Sequence, residues 1–289
     1  MSQNKPMMHQ VVTAELKAWI IAQAQAGQHP DVVLKAMLAS GWEEHVAVAA
    51  MEKTMQDFVD EQQLMASLPP LVPVPQPALE PSALYADVGD RRVHVVTTVA
   101  QPHVVVFGNL LSDEECDALI AAARPRMARS MTVATQTGGE EIHVDRTSMG
   151  MFFERGENEV VKRVEARIAK LLNWPVDHGE GLQVLHYKPG AEYKPHYDYF
   201  DPAESGTPKI LQRGGQRVAT LVMYLAEPER GGGTTFPDIK LEVAPKRGHA
   251  VFFSYPRAHP STLTLHGGAP VLAGEKWIAT KWLRERVFK

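Results

Sequence analysis

Six prolines, Pro69, Pro70, Pro73, Pro75, Pro77 and Pro81, fall between Leu68 and Ser82 and forbid helix or interior strand over that stretch. Whatever this 289-residue chain builds, it must build on either side of them. Residues 66–84 read as an extended, semi-rigid linker of polyproline character, or in the alternative as a docking ligand for a partner. They divide the chain into a small module, 1–65, and a long one, 85–289.

The two sides carry different periodicities. Ahead of the prolines, Ala14 to Ala26 predicts a helix stopped by Gly27, Pro30 to Ser40 a second with proline at its start, and Glu43 to Val59 a third. This module contains no residue of catalytic character and is expected to pack helices or contact a protein partner. Behind them, Val93–Val99 and Val104–Phe107 predict strands. Ser112-Asp-Glu-Glu115 is a capping box opening a helix over Cys116–Arg124. A second helix is predicted over about Glu157 to Leu172. Short β-rich runs follow at Leu182–Tyr187, Val218–Leu225, Leu241–Val243, Ala250–Ser254, Leu263–His266 and Trp277–Leu283. Short strands split by Gly/Pro turns after initial helices make an α+β fold, a β-sandwich or jelly roll with helices packed outside.

Charge and cysteine usage narrow the classes. A formal net charge of −4 gives no electrostatic pull towards nucleic acid, and no nucleic-acid partner is expected. Apolar runs such as Val104–Phe107 and Ala250–Phe253 are too short to span a bilayer, so no membrane association is expected. The single cysteine, Cys116, excludes an intramolecular disulfide and reads as a helix packing residue. With no basic segment leading into an apolar one at the start, a reducing, cytoplasmic location is the expectation.

The chemistry lies in His196-Tyr197-Asp198. Two residues apart on an extended segment, His196 and Asp198 project to one side, and a distant histidine can close a three-cornered metal site. Two imidazoles and a carboxylate on one face suit non-haem Fe(II) and leave positions open for a co-substrate and O₂. His259 and His266 are both available, but only His266 is followed by the Gly-Pro-Gly-Lys-Trp arrangement that ends in Lys276-Trp277. Lys276, ten residues on, offers a fixed cation for a carboxylate.

The stretches Tyr187-Lys-Pro-Gly-Ala-Glu-Tyr193-Lys-Pro-His196-Tyr-Asp198 and His266-Gly-Gly-Ala-Pro-Val-Leu-Ala-Gly-Glu-Lys276-Trp-Ile-Ala-Thr-Lys-Trp282 carry a family likeness. In them, and in Arg146-Thr-Ser-Met-Gly-Met-Phe152 and Gly231-Gly-Gly-Thr-Thr-Phe-Pro237, the chain resembles the prolyl 4-hydroxylase family of Fe(II)/2-oxoglutarate dioxygenases. The resemblance runs over roughly residues 105–286 and leaves the helical module outside. It implies a double-stranded β-helix core and His196, Asp198 and His266 as iron ligands. It implies Lys276 as the partner of the far carboxylate of 2-oxoglutarate, with Tyr187 and Thr220 giving hydroxyl hydrogen bonds to that carboxylate. Arg146, Tyr193, Trp282 and Arg284 hold family positions along a substrate channel. Fe(II), 2-oxoglutarate and O₂ are the implied cofactors, ascorbate the implied reductant, and a proline-containing protein or peptide the implied substrate, with release of succinate and CO₂.

Two other readings stay open from the sequence: hydroxylation of a free amino acid or small metabolite, and a partner-binding protein with an inactive jelly roll. The polar segments Asp201–Gly215 and Thr132–Val144 are each a surface loop or a lid.

Overall fold

The computed structural model describes residues 10–129, 132–133, 140–141 and 147–289. The chain divides into two compact units between Leu68 and Pro69. The first holds helices α1 (Ala14–Gln25), α2 (Pro30–Ala39) and α3 (Glu44–Ser67) around a small core of Ile20, Met37, Ala47 and Ala50. Helix α3 runs eight residues beyond the expected Val59, because Glu61 to Ala66 are good helix formers that carry no apolar periodicity.

In the second unit the strands in chain order are β1 (Tyr85–Asp87), β2 (Arg92–Val99), β3 (His103–Gly108), β4 (Ala128–Arg129), β5 (Thr132–Val133), β6 (Glu140–Glu141), β7 (Met149–Phe153), β8 (Leu182–Tyr187) and β9 (Tyr193–His196). There follow β10 (Arg217–Ala226), β11 (Arg230–Gly231), β12 (Thr234–Phe236), β13 (Leu241–Val243), β14 (Ala250–Ser254), β15 (His266–Gly268), β16 (Val271–Ala273) and β17 (Lys276–Arg284). A nine-stranded sheet runs in the order β1-β2-β3-β14-β10-β17-β8-β7-β4, and a four-stranded sheet in the order β13-β12-β15-β9. Every pairing in both is antiparallel. This is the double-stranded β-helix of a jelly roll. A core of Leu185, Tyr187, Val222, Tyr224, Phe236, Val251, Phe253 and Ile278 draws its residues from both sheets.

The opposite face of the large sheet buries two helices, α4 (Asp113–Ala123) and α5 (Glu159–Leu172). Ser112 caps α4 in a reciprocal capping box with Glu115, as its sequence requires. Asn158 caps α5 by accepting from the Val161 amide, which sets the helix start two residues after the expected Glu157. Leu119, Cys116, Val164, Ile168 and Leu171 interlock there with Phe107, Val184, Leu221 and Ala279. The proline stretch is extended but not free. Val72 donates to Pro256, and Gln76 and Ala78 donate to Leu172 and Leu171, so backbone bonds hold it along the second unit.

The expected strand Leu263–His266 does not form. Pro260–Thr262 make a 3₁₀ turn, and Leu263 sits at φ 54°, in the left-handed region, where no strand continues. The strand starts at His266 instead. Among the described residues, no helix is long and apolar enough to cross a membrane. Leu171 is wholly buried between α5 and the sheet, so Leu171→Ala is expected to cost about 2–5 kcal/mol in urea unfolding. Ser112→Ala, which removes only the cap, should cost about 1 kcal/mol.

Candidate active site

His196 ends β9 and His266 begins β15, and the antiparallel register sets the two opposite each other. Asp198 lies two residues beyond His196, just past the strand end, and so returns to the same side. His196 Nε2 is 3.5 Å from Asp198 Oδ1, and His266 Nε2 is 3.4 Å from Asp198 Oδ2. The three ligand atoms the group offers lie within 4.8 Å of one another, and the set is able to hold a metal ion.

Both imidazoles are aimed by the same local device. Each Nδ1 lies 2.9 Å from the carbonyl oxygen two residues earlier, Lys194 for His196 and Thr264 for His266. A carbonyl only accepts, so Nδ1 carries the proton and Nε2 turns its lone pair inward. Burial, and then the neighbouring His266, keep His196 neutral by lowering its pKa. Burial opposes ionisation of Asp198, yet its carboxyl is held well below the ordinary range.

Asp198 is fixed in turn by hydroxyls. Thr220 Oγ1 is 2.6 Å from Asp198 Oδ2 and 2.9 Å from the Tyr255 hydroxyl. The carboxylate can only accept, so Thr220 donates to it, and Tyr255 must donate to Thr220. This corrects the expectation that Thr220 meets the far carboxylate of the co-substrate. Thr220 pairs with Trp282, six residues along β17 from Lys276, which is roughly 20 Å of strand, and its single proton is already committed.

The hydroxyls near Lys276 come from elsewhere. Lys276 opens β17 opposite Tyr187 of β8, with Nζ 5.3 Å from the Tyr187 ring centroid and 5.9 Å from that of Tyr224. Tyr224 donates its hydroxyl to Thr234 Oγ1, and Thr234 lines the same pocket as Lys276 and the triad. Neither Tyr224 nor Thr234 was marked by the sequence; Tyr224 reads as a packing strand residue, and the Gly231-Gly-Gly-Thr-Thr run was the available signal. Gly232 passes close over the lysine stem at φ +72°, where a Cβ would stand 3.1 Å from Lys276 Cδ.

Lys276 is only 2 % exposed. Burial pushes its pKa down to about 8, opposed by the more distant charge of Glu242. It has no ion pair or hydrogen bond among the described residues. A buried cation without a partner, aimed into a pocket, is a receptor for an anion.

Of the expected channel residues, Tyr193 stacks on His196 with ring centroids 3.7 Å apart and lines the pocket. Trp282 also lines it, with Nε1 buried and without a hydrogen-bond partner among the described residues. Arg284 is not among the residues that line this pocket. Its guanidinium donates to Glu180 and to the Ile210 carbonyl, because the buried Glu180 carboxylate needs both Arg217 and Arg284 beside it. Arg146 lies outside the described residues, as does most of Thr132–Val144. His186 faces the other side of the sheet, stacked on Trp277 and bonded to Glu275, and His259 caps its own turn. The segment after Asp201 is partly folded, with a short helix α6 (Thr207–Leu211) whose Ile210 is buried.

Residues 182–284 match the 2OG-Fe(II) oxygenase superfamily. Prolyl 4-hydroxylase 5 of Arabidopsis thaliana is 41% identical over 222 residues, 70% of this chain and 74% of that protein. Prolyl 4-hydroxylase 1 of the same plant is 39% identical over 222 residues, 69% of this chain and 74% of its own length. The solved viral collagen prolyl hydroxylase of Paramecium Bursaria Chlorella virus-1 shares 34% identity over 63% of this chain and 95% of that one, at a TM-score of 0.49.

The hydroxyl chain onto Asp198 makes a measurable difference. Thr220→Val is expected to weaken Fe(II) binding roughly 10–100-fold in anaerobic titration, Thr220→Ser to restore it, and Tyr255→Phe to fall between. Unchanged affinity in Thr220→Val would show the hydroxyl to be irrelevant to the metal.

Proposed function

The chain belongs to the prolyl 4-hydroxylase family of 2OG-Fe(II) oxygenases, and from that premise we propose that it hydroxylates prolyl residues in a protein or peptide. 2-Oxoglutarate and O₂ are consumed, and succinate and CO₂ released. The observation that carries this reading is the pairing, in one pocket, of a His-Asp-His triad with a buried lysine that has no ion pair or hydrogen bond among the described residues.

The donor set suits the metal. Two neutral imidazoles and one carboxylate, His196, His266 and Asp198, would hold Fe(II) and leave its remaining positions to ligands. Lys276 would pair with the far carboxylate of 2-oxoglutarate, with the Tyr187 and Thr234 hydroxyls beside it. A carboxylate so deep in the protein is tolerable only when paired and hydrogen-bonded. Breaking an unactivated C–H bond is chemistry that bound iron and 2-oxoglutarate supply. The side chains hold and orient. Leu185, Val222 and Ile278 make the pocket wall apolar, which excludes water and strengthens the lysine–carboxylate attraction. Trp282 on the large sheet and Tyr193 on the small one line the same pocket and would bear on the substrate ring.

With Fe(II), 2-oxoglutarate and ascorbate as reductant, proline-containing peptides are expected to gain the mass of one oxygen atom. His196→Ala should abolish both that gain and succinate formation. Oxidation of free proline but of no peptide would move the assignment to a small-metabolite hydroxylase. Lys276→Ala is expected to raise KM for 2-oxoglutarate by roughly 10–100-fold.

The pH dependence has a definite sign. The Lys276 cation is present below its pKa of about 8 and lost above it, so kcat/KM for 2-oxoglutarate should decline as pH rises past that value. Glu242 supplies the opposing charge, and Glu242→Gln should move the decline to lower pH.

A further inference from the structure

The active-site face of the large sheet does not end at the pocket. Register places Val222, Thr280, Gln183 and Phe152 in one row across β10, β17, β8 and β7, so the four side chains leave the same face. Val222 and Thr280 line the pocket of the triad. Phe152, two strands further on, lines a second cavity of about 540 Å³, within the size range of small-ligand sites. Trp282 joins the two. It lines the first, its ring lies 6.4 Å from that of Phe152, and the Arg217 guanidinium sits 4.0 Å over it. Phe152 and Arg217 both line the second.

The chemistry of this second cavity is cationic and aromatic. Glu180, its buried carboxylate, is matched against two guanidiniums, Arg217 and Arg284, so its charge is already spent. Arg155 donates one Nη1 to the Asp177 carbonyl, and Arg213 donates Nε to the α-carboxyl oxygen of Lys289, keeping its Nη donors. Neither has a carboxylate side chain as partner among the described residues, and both are exposed in the lining. Glu154 is the remaining acid there. Guanidiniums with donors to spare, beside aromatic walls, receive carboxylates in bidentate fashion.

We propose that this cavity is a second recognition site for the substrate chain, taking an acidic side chain a few residues away from the hydroxylated proline. This rests on the prolyl-hydroxylase reading and adds the class of polypeptide it would act on.

The test uses the full chain and peptides with one target proline, in which Asp, Ala or Lys is scanned through the flanking positions on both sides. Hydroxylation is read by mass and succinate separately. At one or more flanking positions, Asp is expected to raise kcat/KM over Ala by about tenfold, and Lys to lower it, with the advantage shrinking as salt is added. In Arg155→Ala/Arg213→Ala the Asp-to-Ala ratio should collapse towards unity, and in Arg155→Glu/Arg213→Glu the preference should pass to Lys. Peptides hydroxylated by the wild type without regard to flanking charge would overturn the site. So would an acidic preference that survives the double alanine variant. Hydroxylation of no proline peptide at all would instead sink the prolyl reading itself, and this inference with it.

Discussion

Strand β17 lies in the middle of the large sheet, paired to β10 on one side and β8 on the other, and that double pairing holds the site together. Alternate residues Lys276, Ile278, Thr280 and Trp282 face the pocket, while Trp277, Ala279 and Leu283 join the core beneath the helices. Lys281, on that second side, is buried against Glu165 of α5 and the Glu180 carbonyl. A slip of one residue would exchange the two faces, sending the pocket lysine towards the helices and Lys281 into the pocket. Two partners and two fully buried faces make such a slip prohibitive.

The treatment of charge along this strand separates scaffold from site. Where the fold buries charges for its own sake it completes them: Lys281 with Glu165, and Glu180 with Arg217 and Arg284. Burial lowers Lys281 as it lowers Lys276, but at Lys281 Glu165 opposes it at hydrogen-bond distance. Lys276 has only the more distant charge of Glu242 among the described residues. Leaving a buried cation uncompensated costs stability, and a protein tolerates that where a ligand supplies the missing charge.

The triad shows the complementary strategy, in which every atom not facing the metal position is already engaged. Backbone carbonyls hold the two Nδ1 protons, and the Tyr255–Thr220 hydroxyl chain holds Asp198 Oδ2. With the outward atoms occupied, the inward lone pairs are set before any metal arrives, which is how surrounding hydrogen bonds tune a metal centre. The pocket therefore joins a preorganised end, at the triad, to an electrostatically incomplete end, at the lysine.

Local chemistry was legible in the chain itself. The capping box at Ser112, the strands Leu182–Tyr187 and Ala250–Ser254, and the His196-x-Asp198 pair all follow from interactions within a few residues. Lys276 could be marked because the residues after His266 are contiguous with it. Thr220 and Thr234 could not be told apart, since both are strand threonines, and what distinguishes them is which neighbour each strand places opposite. Nor does the chain show that Arg284 is bonded to Glu180, 104 positions away. Tyr255 carried no local signal at all. Sequence alone determined which residues can ligate a metal or carry a charge, because that is covalent chemistry and short-range spacing. Only the tertiary structure decided which hydroxyl serves Asp198 and which lies near Lys276, because antiparallel register joins residues whose separation along the chain holds no information about their contact.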